Sequence, residues 1–127
     1  MIARNKKKIF IVDDDEFLLD MYSVKFREND FEVETASNNS EALDKINAGL
    51  TPDVILLDLV MPGLDGFEFM KKIKEKKLIP RSLIIILTNL GEKEDVDKGM
   101  KMGANDYIIK AHYTPSEVVK KVKELLQ

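Results

Sequence analysis

Cysteine is absent from the 127 residues and histidine occurs once. The fold therefore uses no disulfide and the chain has no thiol chemistry, which is compatible with a reducing compartment. Apolar runs of bilayer length, roughly 20 residues, are also missing. The basic start MIARNKKKIFIVDDD leads into an apolar run too short for a signal peptide and ends in three acids. A soluble, cytoplasmic protein is the expectation, with no membrane partner. Neither sign dominates the charge: 20 basic against 23 acidic residues leave a net −3. That balance gives no electrostatic case for direct nucleic-acid binding. The lysines of KKIKEKKLIPR and KKVKELLQ read as solvated helix faces. Internal repeats, low-complexity stretches and Pro/Gly/Ser linkers are lacking, so residues 1–127 are expected to form one domain with no output domain visible.

What is present is alternation. KIFIV, FEVETA, DVILLD, SLIIILT and DYIIK read as strands, and each is followed by a helical pattern. DVILLD and SLIIILT are apolar throughout, as strands covered on both faces are. In EFLLDMYSVKFREN the spacing predicts that Phe17, Leu18, Met21, Val24 and Phe26 face inward, with Asp15 as N-cap. SEALDKINAG is a short helix stopped by Gly49. MPGLDG is a turn-rich loop, EKEDVDKGMKMG a weak helix containing Gly99, and TPSEVVKKVKELLQ a helix opened by a Thr114–Pro115–Glu117 capping box. Strict alternation with short connections implies a (βα)₅ doubly wound α/β fold, a parallel sheet between two helical layers. Ligands of such sheets bind beyond the carboxyl ends of the strands, where the strand order reverses.

Five polar residues end these apolar runs: Asp13 and Asp14, Asp58, Thr88 and Lys110. Converging carboxylates repel unless a cation joins them. Oxygen ligands without His or Cys favour Mg²⁺, with Mn²⁺ as an alternative, over Zn²⁺. Asp13, Asp14, Asp58 and the backbone carbonyl of Val60 form the expected metal set. Asp58, ending the central strand, is the best nucleophile, since a carboxylate can attack phosphorus to give an acyl phosphate. Lys110 and Thr88 would stabilise the phosphoryl oxygens. His112 reads as a surface or packing residue, the methionines as core filler, and Asp15, Asp65 and Asp106 as caps or turn residues.

Taken in order, IVDDDEF, DVILLDLVMPGLDGFEF, LT at Leu87–Thr88 and GANDYIIK resemble the receiver domains of two-component response regulators over essentially the whole chain. The resemblance implies a flavodoxin-like sheet of order 2-1-3-4-5 and phosphorylation of Asp58 by a sensor histidine kinase or histidine phosphotransfer protein. It also implies that Thr88 and Tyr107 form a switch altering the helix 4–strand 5–helix 5 surface for a downstream protein or a missing output domain. Self-modification and slow autodephosphorylation are implied, not turnover of a substrate. Both a monomer and a phosphorylation-dependent dimer are compatible with it.

Three positions depart from the family pattern. Ala111 stands where Pro usually follows the lysine, so either a trans bond with a shifted loop or a strained cis bond is expected. Asn89 replaces a small residue after Thr88 and would crowd the site. Val60 and Leu90 are apolar where many relatives are polar, which suggests shielding from hydrolytic water. Two enzyme families offer rival readings, and each lacks a feature it needs. Haloacid-dehalogenase-like phosphatases want a DxDxT/V-like first strand, and phosphoribosyltransferases a Gly/Thr-rich phosphate loop after IVDD. A pseudo-receiver that never takes phosphate is the remaining alternative.

Overall fold

In the computed structural model, which describes residues 6–60 and 66–127, the apolar runs become one parallel sheet. Among the described residues its strands are β1 (Lys8–Val12), β2 (Glu32–Ala36), β3 (Val54–Leu57), β4 (Leu83–Thr88) and β5 (Asp106–Ile109). Their spatial order is β2-β1-β3-β4-β5, as expected. β1 pairs with both β2 and β3, through Ile11↔Thr35 on one side and Ile11↔Leu56 on the other. The order reverses between β1 and β3, which brings the residues after Val12 and Leu57 to one crevice.

Successive side chains leave opposite faces of a strand, so each strand feeds two cores. Phe10, Val12, Ile55, Leu57, Ile84 and Ile86 pack with Ala42 and Ile46 of α2 (Asn39–Asn47) and Phe69, Met70 and Ile73 of α3 (Gly66–Glu75). Ile9, Ile11, Leu56, Ile85, Leu87 and Ile108 pack with α1 (Glu16–Glu28) and α5 (Pro115–Leu125). β3 and most of β4 are buried, matching their unbroken apolar sequence. β2 lies at an edge, with Glu32 and Glu34 exposed and ion-paired to Lys8 and Lys45.

The helix ends follow local chemistry. Asp15 accepts from the Leu18 amide at 3.2 Å and caps α1. Thr114 and Glu117 form the reciprocal capping box of α5, with Pro115 first in the helix. Gly49 and Gly103 follow α2 and α4 (Lys93–Lys101) at φ +110° and +106°, where a side chain would be strained. The MPGLD part of the expected loop, Asp65 included, lies outside the described residues.

The inward face of α1 needs correction. Leu19, Tyr22, Ser23 and Phe26 are buried, whereas Phe17 and Val24 are 75% and 53% exposed and Leu18 and Met21 half-buried. Spacing alone gives two overlapping stripes here: Phe26 is buried in the true one and half-buried Leu18 packs against it, whereas Phe17 and Val24 do not belong to it. The buried stripe includes polar-tipped residues that hydropathy passes over; Ser23 satisfies its hydroxyl by donating to the Leu19 carbonyl at 2.7 Å. The apolar residues Phe17, Met21 and Val24 are left as an outward row.

Candidate functional site

Asp13, Asp58 and Lys110 sit one step past the ends of β1, β3 and β5, and Thr88 is the last residue of β4. The Asp13 amide donates to Ala36 O at 3.1 Å, and the Asp58 amide to Val12 O at 3.0 Å. Those ladder bonds fix the backbones from which the carboxylates project. The Lys110 Nζ then bridges them, donating to Asp13 Oδ2 and to Asp58 Oδ2 at 2.7 Å each. All three side chains are 9% exposed or less. Asp14 is exposed, yet Asp13, Asp14 and Asp58 each offer a carboxylate oxygen within 4.8 Å of the others. Asp58 Oδ1 accepts from the Val60 amide at 3.0 Å, and Asp13 Oδ1 from the Asp15 amide at 3.0 Å.

Burial most strongly disfavours the charge on Asp13, and despite Lys110 its pKa stands above the usual carboxylate value. Burial is also the largest influence on Lys110, lowering its pKa, but the hydrogen bonds and charges of Asp13 and Asp58 together outweigh it. The ammonium is held above the ordinary lysine value. Its contribution to stability is therefore fully present below the unfolded lysine pKa and is lost as pH rises through the higher folded one. Asp13 follows the same sign in a lower pH window: without a bound cation, the stability from keeping its buried carboxyl protonated is fully present below the unfolded carboxylate pKa and is lost as pH rises through the raised folded one.

A cleft of about 400 Å³ opens over these groups, and Thr88, Asn89, Leu90 and Val60 contribute to its walls. Thr88 is buried, its Oγ1 3.4 Å from the Leu90 amide that donates to it. The Tyr107 hydroxyl donates to the Leu90 carbonyl at 2.6 Å, linking β5 to the loop after β4. Burial, then the charges of Asp95 and Asp58, push the phenol up to about 12, so it is a donor at neutral pH.

The remaining expectations sort cleanly. The Lys110–Ala111 peptide is trans, and Lys110–His112 forms a 3₁₀ turn, so the strained cis alternative is not adopted. Ala111 also has an amide to use: it donates to Asn89 Oδ1 at 3.1 Å. His112 is exposed and Asp106 pairs with Lys121 at 3.5 Å, so neither joins the site. Of the methionines Met70 is core, while Met100 is 42% exposed.

Two glycines escaped the sequence reading as site elements. A Cβ on Gly66 would lie 2.5 Å from Leu59 Cα and 3.0 Å from Asp58 O, so α3 starts against the backbone that carries Asp58. A Cβ on Gly99 would lie 2.7 Å from Ile86 Cδ1 and 3.1 Å from the Tyr107 ring. Gly99 thus admits Tyr107 beneath α4 as well as weakening that helix. A glycine at a helix start or mid-helix is the only signal of this in the sequence.

Comparison with known proteins agrees with this geometry. A family model described as "Response regulator receiver domain" matches residues 9–123. The chain belongs to the response regulator receiver family. It is 40% identical over 129 residues to the transcriptional regulatory protein ResD of Bacillus subtilis, covering 100% of this chain and 51% of that protein. It is 31% identical over 121 residues to the phosphate regulon transcriptional regulatory protein PhoB of Escherichia coli, covering 95% and 52%. The receiver thus spans about half the length of these curated relatives. Its fold matches a CheY-like receiver from Methanospirillum hungatei at TM-score 0.86, 32% identity and 96% and 94% coverage. It matches the receiver of Francisella response regulator 1452 at TM-score 0.86, 31% identity and 95% and 97% coverage. Receiver domains are signalling domains rather than turnover enzymes, and they bind Mg²⁺ at an acidic pocket.

The amine is what makes the acids tolerable. Lys110→Met leaves Asp13 and Asp58 buried together without a cation, and is expected to destabilise the metal-free receiver by about 3 kcal/mol at pH 7. The loss should shrink as pH falls through the raised Asp13 pKa, because protonation removes the repulsion. Urea unfolding with a chelator over a pH series descending from 7 checks this; a loss that does not change with pH would refute it.

Proposed function

We propose that this receiver takes a phosphoryl group onto Asp58 from a partner's phosphohistidine, and that Asp13, Asp14, Asp58 and the Val60 carbonyl hold Mg²⁺. The observation carrying this is the bridge from Lys110 to Asp13 and Asp58, both at 2.7 Å, with an Asp14 oxygen in the same cluster. All the ligating atoms are hard oxygens, which fit Mg²⁺. Three carboxylates against one ammonium leave an excess of two negative charges, the complement of one divalent ion.

In the transfer an Asp58 carboxylate oxygen attacks phosphorus while the P–N bond to the donor imidazole breaks, its electron pair staying on the imidazole. Lys110, already on Asp58, is placed to follow the charge onto the incoming phosphoryl oxygens. The Thr88 hydroxyl would serve another of those oxygens. When bound, Mg²⁺ supplies neutralisation of phosphoryl oxygen charge, so that positioning and electrostatics do most of the work.

The product carries more negative charge and three new acceptor oxygens in the cleft. Thr88 moving toward them disturbs Leu90, and through Leu90 O the Tyr107 hydroxyl. α4 is the element set to respond. Gly99 is its only buried residue, and its N-cap Glu92 makes no side-chain capping bond. A weakly fastened helix above the moving ring shifts between populations rather than deforming smoothly. The α4–β5–α5 surface, read by a downstream protein or an output domain, is the output.

The outward row Phe17, Met21 and Val24 begins one turn from the acids, and Leu18 between them lines the cleft. An exposed apolar row beside a reacting group suits a helical phosphodonor protein.

Three measurements bear on this reading. Intact mass after acetyl phosphate and Mg²⁺ should show one added phosphoryl group that disappears in Asp58→Asn; no addition with any donor would leave a pseudo-receiver. Phe17→Ser is expected to slow transfer from a protein donor roughly tenfold, equal to about 1.4 kcal/mol, while the acetyl phosphate rate holds; equal slowing of both would remove the docking role. Val60, 56% exposed, and half-buried Leu90 put apolar groups where a hydrolytic water would approach. The acyl phosphate should accordingly be long-lived, and decay of label within seconds would contradict that shielding.

A further inference from the structure

The two departures at positions 89 and 111 are partners in the structure. A proline at 111 would have no amide hydrogen. Ala111 has one, and Asn89 Oδ1 accepts it at 3.1 Å. The bond joins the loop after β4 to the 3₁₀ turn after β5. It also acts on a particular peptide plane: the amide of Ala111 belongs to the Lys110–Ala111 bond, directly beside the Cα from which the Lys110 side chain leaves toward Asp13 and Asp58.

Its other end matters equally. Asn89 follows buried Thr88 and precedes Leu90, whose amide donates to Thr88 Oγ1 and whose carbonyl receives the Tyr107 hydroxyl. The end of β4 and the first two residues of this loop are thus tied to β5 and to the turn carrying Lys110. Bulk alone does not describe Asn89. Its side-chain oxygen is engaged by the Ala111 amide even though the residue lines the cleft.

We propose that Asn89 is a positioning residue for Lys110. By accepting the Ala111 amide it fixes the trans Lys110–Ala111 peptide, aims the ammonium at Asp58, and yokes Lys110 to Thr88. The two groups that meet the phosphoryl oxygens are then set together rather than independently. Its kinetic consequence rests on the phosphoryl-transfer reading above; the clamp itself does not.

The test compares the 127-residue chain with Asn89→Ala and with Asn89→Leu, which keeps bulk but cannot accept a hydrogen bond, each with and without Ala111→Pro. The first readout needs no phosphate: amide exchange at Ala111 and the ¹⁵Nζ signal of Lys110. Both variants should expose the Ala111 amide to several-fold faster exchange and shift the Lys110 signal. Unchanged exchange and signal would overturn the proposal. The second readout is the rate of phosphoryl gain from acetyl phosphate at saturating Mg²⁺. It should fall roughly two- to tenfold in both variants, the factor one ordinary hydrogen bond contributes. With Ala111→Pro in place, further change at Asn89 should do nothing, because no amide is left to hold. Faster transfer in Asn89→Ala with Asn89→Leu unchanged would show crowding instead and overturn the clamp, as would an equal factor in both backgrounds. A wild-type chain that accepts no phosphoryl group would remove the functional reading while the exchange data still decide the clamp.

Discussion

One ammonium holds together chemistry drawn from three strands. Lys110 reaches Asp13 across 97 residues of sequence and Asp58 across 52, and both contacts are 2.7 Å. Burial acts against the charge of Asp13 and against that of Lys110, so neither is comfortable alone. The sheet order creates the problem and its solution. β1 and β3 are neighbours at the reversal, which brings the acids together. β5 is two strands from β3, so only a long, flexible cation can span the end of β4 to meet them. A shorter side chain at 110 would leave the acids unpaired. The bridge is also incomplete, since the cluster keeps an excess of negative charge, and an acid cluster in that condition is poised to take up a cation.

The strands and the site were legible for the same reason. A strand buried on both faces must be apolar, so DVILL and SLIIIL announce themselves, and a polar residue ending such a run stands out. What stayed hidden depended on packing between distant segments. The inward face of α1 turned on whether Tyr22 and Ser23 would be buried, and Ser23 is acceptable there only because Leu19 O takes its hydroxyl. Gly66 and Gly99 read locally as a turn residue and a helix weakness. Their reasons, the backbone of Asp58 and Leu59 in one case and the Tyr107 ring in the other, are visible only when the elements meet. Likewise Asn89 and Ala111 each look like an isolated departure in the sequence, and the hydrogen bond makes them one feature.

If Asp58 takes a phosphoryl group as proposed, the same contacts would carry the event beyond the site. Thr88, Asn89 and Leu90 face three ways, toward the cleft, toward the turn of Lys110 and toward Tyr107. A shift of this loop therefore cannot satisfy all its bonds unless β5 and the turn respond. The tyrosine is the stiff link in that chain. With its pKa raised to about 12 it stays a donor, and Leu90 O is the acceptor it has found. α4 is the compliant link, because Gly99 gives it close contact with the ring but almost no apolar anchorage of its own. Rigid coupling below and weak fastening above are what a two-state surface needs. In the proposed switch the first would transmit a displacement of the loop, and the second would let the helix change position at low cost.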